Sequence, residues 1–204
     1  MRDVLLGCTG SIGIVKLPSL ALQLHSLSYT ITIVLTSKAE FFVYGTHRGS
    51  VRAYDSEGWH QMMELVDKGV IKIVRAADEW GALEGTTVEE GEKGKEGGFY
   101  CPVLHITLRD THKLLLIAPL GANSLAKFSN GLCDDTLSCV VRAWEVREKG
   151  AVVAPAMNTQ MWEHPVTGGQ VRGERMIKDW ERGEAMGGDG RRWEARGDVC
   201  HRCT

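Results

Sequence analysis

The chain has 204 residues, 43% hydrophobic and 25% charged, with a formal net charge of −2. That length suits one domain with a substantial core, and the composition is that of an ordinary globular protein. A charge so near zero supplies no phosphate-seeking field, which argues against nucleic acid as the main partner.

Val4 to Leu6 reads as a first strand, followed by the turn Gly7-Cys8-Thr9-Gly10-Ser11-Ile12-Gly13. A helix is expected from about Ser11 to Leu27, because Ile14, Leu17, Leu20, Ala21 and Leu24 recur at three- and four-residue spacing. Tyr29 to Leu35, rich in Thr, Ile and Val, is a second strand. Lys38 to Val43 reads as a short helix, Tyr44 to Gly58 as loop, Trp59 to Asp67 as helix and Val70 to Val74 as a third strand. Gly81 to Gly98 is crowded with Gly, Glu and Lys and lacks apolar residues to pack, which marks a solvated insertion. Val103 to Leu108 is extended or just entering a helix. Leu114 to Ala118 is a continuous apolar run, as in a parallel strand buried on both faces. Helices over Ala122 to Ser129 and Asp134 to Trp144 are joined by Asn130-Gly131, and Ala151 to Ala154 is a last buried strand before a loop from Pro155.

Strands that alternate with helices imply an α/β fold. The expectation is a doubly wound parallel sheet, Rossmann-like or flavodoxin-like, with helices on both faces of a single domain over residues 1–167. In residues 168–204 the only branched aliphatics are Val171, Ile177 and Val199. That stretch reads as a tail outside the domain, either disordered or the product of a faulty gene model, with at most a short helix over Arg175 to Arg182.

Asp3, the glycines and Lys16 interrupt any apolar run at the start, against a secretory signal or a membrane span. A cytoplasmic location is the expectation. Of the six cysteines, Cys133 and Cys139 are placed with the predicted helices and Cys8 with the first turn. Cys200 and Cys203 form one CxxC around His201 with no second pair at a suitable spacing, so no metal site is expected.

Three strand-to-helix turns and one histidine carry the chemistry. The Gly7–Gly13 turn offers backbone N–H groups to an anion and glycines for close approach. Its spacing is not GxGxxG, and the second strand ends in Thr36-Ser37-Lys38 instead of an acid for a ribose diol. Hydroxyls and a lysine suit a phosphate, which favours a mononucleotide over a dinucleotide; a tight turn without ligand is the plain alternative. Pro119-Leu120-Gly121-Ala122-Asn123-Ser124 follows the buried strand, where Asn123 or Ser124 can simply cap a helix. In Pro155-Ala156-Met157-Asn158-Thr159-Gln160-Met161-Trp162, Ala156 admits a flat ring and Asn158 suits a carboxylate or amide. Met157, Met161 and Trp162 are either walls of a site or ordinary core. His105, between apolar residues, is by its context a core side chain or a catalytic one.

The stretches VLHITLRD (103–110), LLLIAPLGANSLAKFSNGLCDDTLSCVVRAW (114–144) and APAMNTQMWEHPVT (154–167) resemble the phosphopantothenoylcysteine decarboxylases. These belong to the homo-oligomeric flavin-containing cysteine decarboxylases. The resemblance runs from Asp3 to about Thr167, with insertions around Thr46 to Gly58 and Gly81 to Tyr100. It implies bound FMN and oxidative decarboxylation of phosphopantothenoylcysteine to phosphopantetheine, a step of coenzyme A biosynthesis. It implies His105 as catalytic base and Asn158 as the residue that binds the substrate carboxylate. FMN contacts map to Ser11, Ile12 and Gly13, to Thr36, Ser37 and Lys38, to Gly121, Ala122, Asn123 and Ser124, and to Ala156. A homotrimer is the implied assembly, with flavin sites at subunit contacts.

The family also carries a Cys-Gly-Asp segment and a Gly-x-Gly-Ala-Met stretch that close over the substrate, the cysteine donating a proton. Here Glu184-Ala185-Met186-Gly187 stands without Cys-Gly-Asp, and Cys200 is followed by His201, so the proton-donor role passes to no residue. The resemblance leaves open a second class, a flavin-binding regulatory subunit of a protein phosphatase without complete turnover, although the long acidic tail of such proteins is missing. A relative acting on a peptide's C-terminal cysteine or on a prenyl acceptor is less consistent with PxMNxxMW and VLHI. Flavodoxin-like electron transfer would leave His105 and Asn158 without a role.

Overall fold

The computed structural model describes residues 2–45, 49–76, 78 and 103–172. Strand β1 (Arg2–Cys8) is buried on both faces over its last five residues. Successive side chains of a strand point to opposite faces. Accordingly Val4, Leu6 and Cys8 enter one core and Leu5 the other. β1 pairs in parallel with β2 (Tyr29–Leu35) on one side and β4 (Leu114–Leu120) on the other. β3 (Ile71–Val74) extends the sheet beyond β2, and β5 (Gly150–Pro155) beyond β4. The order β3-β2-β1-β4-β5 is wholly parallel, which confirms the doubly wound α/β sheet and gives it the Rossmann strand order.

Helices cover both faces. A 3-10 segment (Ile12–Lys16), α1 (Leu17–Ser26), α2 (Ser37–Tyr44), α3 (Val51–Tyr54) and α4 (Ser56–Asp67) pack on the face of Val4 and Leu6. On the face of Leu5 lie α5 (Leu104–Thr111), α6 (Ala122–Asn130) and α7 (Thr136–Ala143). Leu5, Leu115, Ile117, Leu120 and Leu137 are among the side chains fully shielded there. Two short helices, α8 (Thr159–Glu163) and α9 (Pro165–Arg172), follow β5.

Several boundaries differ from the sequence reading, each for a local reason. The first helix starts as a 3-10 segment, and its α-helical part begins at Leu17, directly before Pro18. Proline lacks the N–H that a helix interior needs and fits only the first turn. The expected loop over Tyr44 to Gly58 contains α3 and the start of α4, capped by Ser50 on Ala53 N–H and by Asp55 on Gly58 N–H. Of the two readings of Val103 to Leu108 the helical one holds, with Val103 the extended N-cap of a helix that starts at Leu104. α7 starts at Thr136 because Asp135 forms a capping box with Ser138, so Cys133 lies outside the helix. Cys8 is the last residue of β1, not part of the turn. Gly131, at φ 71°, closes α6 in the left-handed region that glycine tolerates. α9 crosses the boundary expected after Thr167. The stretches 81–98 and 175–182 and the cysteines Cys200 and Cys203 lie outside the described residues.

No helix among the described residues is long and apolar enough to cross a membrane. Among the same residues no cluster of His, Cys, Asp and Glu could hold a metal ion.

Candidate functional site

In an open parallel sheet the chain departs in opposite directions from the two strands at the switch point, which opens a crevice at their carboxyl ends. Here those strands are β1 and β4, and the crevice lies between the Gly7–Gly13 turn and the Pro119–Ser124 turn.

Hydrogen bonds tie the surrounding turns together. Thr9 is fully buried, and its Oγ1 donates to Pro119 O at 2.9 Å while accepting Gly121 N–H at 2.7 Å. Thr9 N–H also donates to Pro119 O, at 3.2 Å. Ser11 Oγ donates to Ala156 O at 2.8 Å and accepts Gly13 N–H at 3.3 Å. Ala156 N–H donates to Leu120 O at 2.9 Å, joining the turns after β4 and β5. On the other side Thr36 N–H donates to Cys8 O at 3.1 Å, and Thr36 Oγ1 caps α2 through Ala39 N–H.

The glycines are held close. A Cβ on Gly121 would stand 3.1 Å from Gly10 O, and one on Gly13 would stand 3.3 Å from Ala156 Cβ. A Cβ on Gly10 would meet Lys38 Cβ at 2.5 Å, so any side chain there would force the two turns apart. The structure therefore brings together Ser11, Gly13, Thr36, Lys38, Gly121 and Ala156, which the sequence assigned to one site. Ser37, Lys38, Asn123 and Ile12 are exposed, whereas Thr36 and Ser124 are buried. The hydroxyl of Ser11 is engaged with Ala156, so what it presents outward is backbone.

The electrostatics favour an anion. The first N–H groups of a helix have no partner within it. The start of α6 has no side-chain cap, and its first described helical bond runs from Leu125 N–H to Gly121 O. Lys38 adds a cation in the first turn of α2. The nearest acid on that helix, Glu40, is turned to Ala76 N–H at 2.6 Å. Cys8, directly below the turn, donates its thiol to Ala118 O, and burial pushes its pKa far up, so it is no nucleophile.

Asn158 and His105 stand on separate elements. Asn158 is the N-cap of α8, and its Oδ1 accepts Gln160 N–H at 2.9 Å. Asn158 is exposed, and its Nδ2 is a donor suited to a carboxylate. His105 lies in the first turn of α5, whose Leu108 packs into the core shared with Leu137 and Val140. α5 feeds into the start of β4 through His112 and Lys113, so it runs antiparallel to the strands. Met161 and Trp162 are 53% and 39% exposed, so neither is core. Met157 is half-buried and packs against the α6–α7 side.

Thr9 and the carbonyl of Pro119 were missed by the sequence reading. A hydroxyl inside a glycine turn was the available signal, but its partners lie 110 and 112 positions away.

The family model described as Flavoprotein matches residues 1–173. A mouse phosphopantothenoylcysteine decarboxylase is 37% identical over 169 residues, covering 82% of this chain and 66% of the mouse protein. The chain thus spans slightly less than two thirds of that relative. A solved cysteine-to-serine mutant of a PPC decarboxylase, complexed with pantothenoylaminoethenethiol, superposes with a TM-score of 0.63 at 30% identity, covering 84% of this chain and 76% of that one. The FMN binding protein AtHal3 superposes with a TM-score of 0.59 at 29% identity, covering 83% and 74% of the two chains.

Proposed function

Because this chain belongs to the flavoprotein family, we propose that it is an FMN-dependent decarboxylase whose substrate is phosphopantothenoylcysteine. The observation that carries the reading is the convergence of Ser11–Gly13, Lys38, Gly121–Ser124 and Ala156 on one crevice, bound to one another by Thr9 and Ser11.

Those residues fit FMN. Backbone N–H groups and Lys38 suit its phosphate, and the close-packed glycines leave the backbone accessible. Ala156, with no more than a methyl group, admits a flat ring system. The end of β2 lacks the acid that a dinucleotide's ribose usually meets. When bound, FMN supplies a two-electron oxidation of the substrate's cysteine end, which makes loss of carbon dioxide easy, and then returns the electrons.

The chain's own residues hold the substrate and move its protons. Asn158 Nδ2 donates to the substrate carboxylate, and the bond from Gln160 N–H to Oδ1 fixes which end of the amide faces it. His105 takes the proton released at the cysteine end, a role that imidazole performs near neutral pH. The exposed Met161 and Trp162 supply apolar cover once a partner or substrate lies on them. A homotrimer in the cytoplasm is the setting we propose.

None of the six cysteines is followed by Gly-Asp. That favours one second reading, a flavin-binding regulatory subunit, for example of a protein phosphatase, that needs the cofactor half alone. Purified protein with visible flavin absorbance, mixed anaerobically with phosphopantothenoylcysteine, separates the two. Repeated carbon dioxide release supports the enzyme. One equivalent of carbon dioxide with lasting flavin bleaching means that only the oxidative half operates. A colourless protein that takes up no FMN refutes both readings.

A further inference from the structure

We infer that Thr9 is a positioning residue for the cofactor site, setting the distance between the β1 turn and the start of α6. The inference rests on the FMN reading above and goes beyond it, because Thr9 is buried and is not among the residues assigned to the cofactor.

Thr9 ties its own turn to the turn after β4 through its side chain and its backbone. Its Oγ1 donates to Pro119 O at 2.9 Å and accepts Gly121 N–H at 2.7 Å, while its own N–H donates to Pro119 O at 3.2 Å. A hydroxyl is the smallest group that both donates and accepts, and this one does both across a crevice. The bond to Gly121 orients the residue immediately before α6, so it aims the N–H groups of Ala122, Asn123 and Ser124 that follow. The spacing leaves little slack, since a Cβ on Gly121 would lie 3.4 Å from Thr9 Oγ1 and 3.1 Å from Gly10 O. Without the hydroxyl, a buried N–H loses its acceptor and the two turns lose their tie. β-branching alone does not replace it, so Thr9→Val keeps the shape and removes the bond.

The test compares wild type, Thr9→Val, Thr9→Ala and Thr9→Ser in three measurements: FMN titration of flavin-free protein, its thermal midpoint, and amide exchange at Gly121. Thr9→Val and Thr9→Ala are expected to weaken FMN about tenfold, the scale of one buried hydrogen bond left unmade. Thr9→Ser is expected to stay within about threefold of wild type, because it keeps the hydroxyl. Gly121 N–H is expected to exchange faster in Thr9→Val and Thr9→Ala, with Thr9→Ser protected like wild type. A lower thermal midpoint with unchanged FMN affinity would mean that Thr9 only stabilises the fold, and would overturn the proposal. Unchanged exchange at Gly121 would overturn it as well. Should wild type bind no FMN, the functional reading fails, whereas the role of Thr9 in holding α6 is still decided by the exchange data.

Discussion

The two sides of the crevice are built differently. On the β1–β4 side, Thr9, Gly121, Leu120 and Ser124 are buried, and α6 and α7 press Leu125, Phe128 and Leu137 into the core beneath them. On the β5 side, Val152 is 45% exposed and the limb formed by α8 and α9 turns Met161, Trp162 and Val166 outward. The turns of the first side are tied to one another by buried hydrogen bonds. The second carries Asn158 on a short exposed helix with apolar surface still uncovered. The contrast separates a set of turns tied together by buried hydrogen bonds from a limb whose apolar side chains face outward. Exposed apolar patches rimmed by polar residues commonly mark interaction sites.

The largest expected effect breaks the substrate limb and spares the other side. Asn158→Asp keeps a side-chain oxygen for Gln160 N–H, so the α8 cap survives. It replaces the amide donor by a carboxylate oxygen facing the substrate carboxylate, and like charges in contact cost several kcal/mol. Decarboxylation is expected to fall roughly a thousandfold with FMN affinity unchanged, read by carbon dioxide release and flavin titration. Loss of FMN from this variant would mean that the two sides are not independent.

The rigid side is tested at Leu137. This side chain is buried against Gly7, where an added Cβ would meet Leu137 Cδ1 at 2.6 Å. Leu137→Ala should cost about 2–5 kcal/mol in a denaturant melt. Gly7→Ala alone should cost about 1–3 kcal/mol by overpacking. Combined, the two are expected to cost less than their sum, because the new methyl group enters the space that leucine vacates. Strict additivity would show that the β1 turn does not feel α7.

These elements also show what could be read from the amino acids. β2 was legible to the residue, because Tyr29 to Leu35 is a β-branched run bounded by Ser28 and Thr36. The three turns of the site were legible as strand-to-helix junctions of small residues. α3 was hidden because its cap, Ser50, precedes only four helical residues. α8 was hidden because its N-cap, Asn158, reads from sequence as a ligand-binding group. Thr9 could not be assigned its role from sequence, because pairing with Pro119 and Gly121 exists only once β1 and β4 are neighbours.

A smaller effect is expected at the start of α7. Asp135 accepts Ser138 N–H at 2.8 Å, and Ser138 Oγ accepts Asp135 N–H at 3.0 Å. Asp135→Ala should cost about 1 kcal/mol, measured as a lower denaturation midpoint. Asp135→Asn should cost less, because an amide oxygen still caps and only the ion pair with Lys127 is lost. FMN affinity should move in neither variant, since α7 supports the crevice from below.

The smallest effect lies at the foot of the sheet, at His112. The ring is buried, with Nδ1 donating to Leu108 O at 2.8 Å and Nε2 accepting from Thr32 Oγ1 at 3.0 Å. Burial lowers its pKa, and Lys72 and Lys149 push in the same direction, against the Leu108 carbonyl and Asp3, which favour the charged form. A lowered folded-state pKa means that the unfolded chain binds the proton more tightly. The stability His112 contributes is therefore fully present above the ordinary histidine pKa of about 6.5, and is lost as pH falls through its lower folded value. Charging the ring would also put a second N–H against Thr32, whose hydroxyl would have to turn and accept. Thermal midpoints of wild type should decline on acidification below about pH 6.5, and the decline should be shallower in His112→Gln, whose amide keeps an acceptor without a titrating proton. Equal slopes in the two proteins would place the acid sensitivity elsewhere.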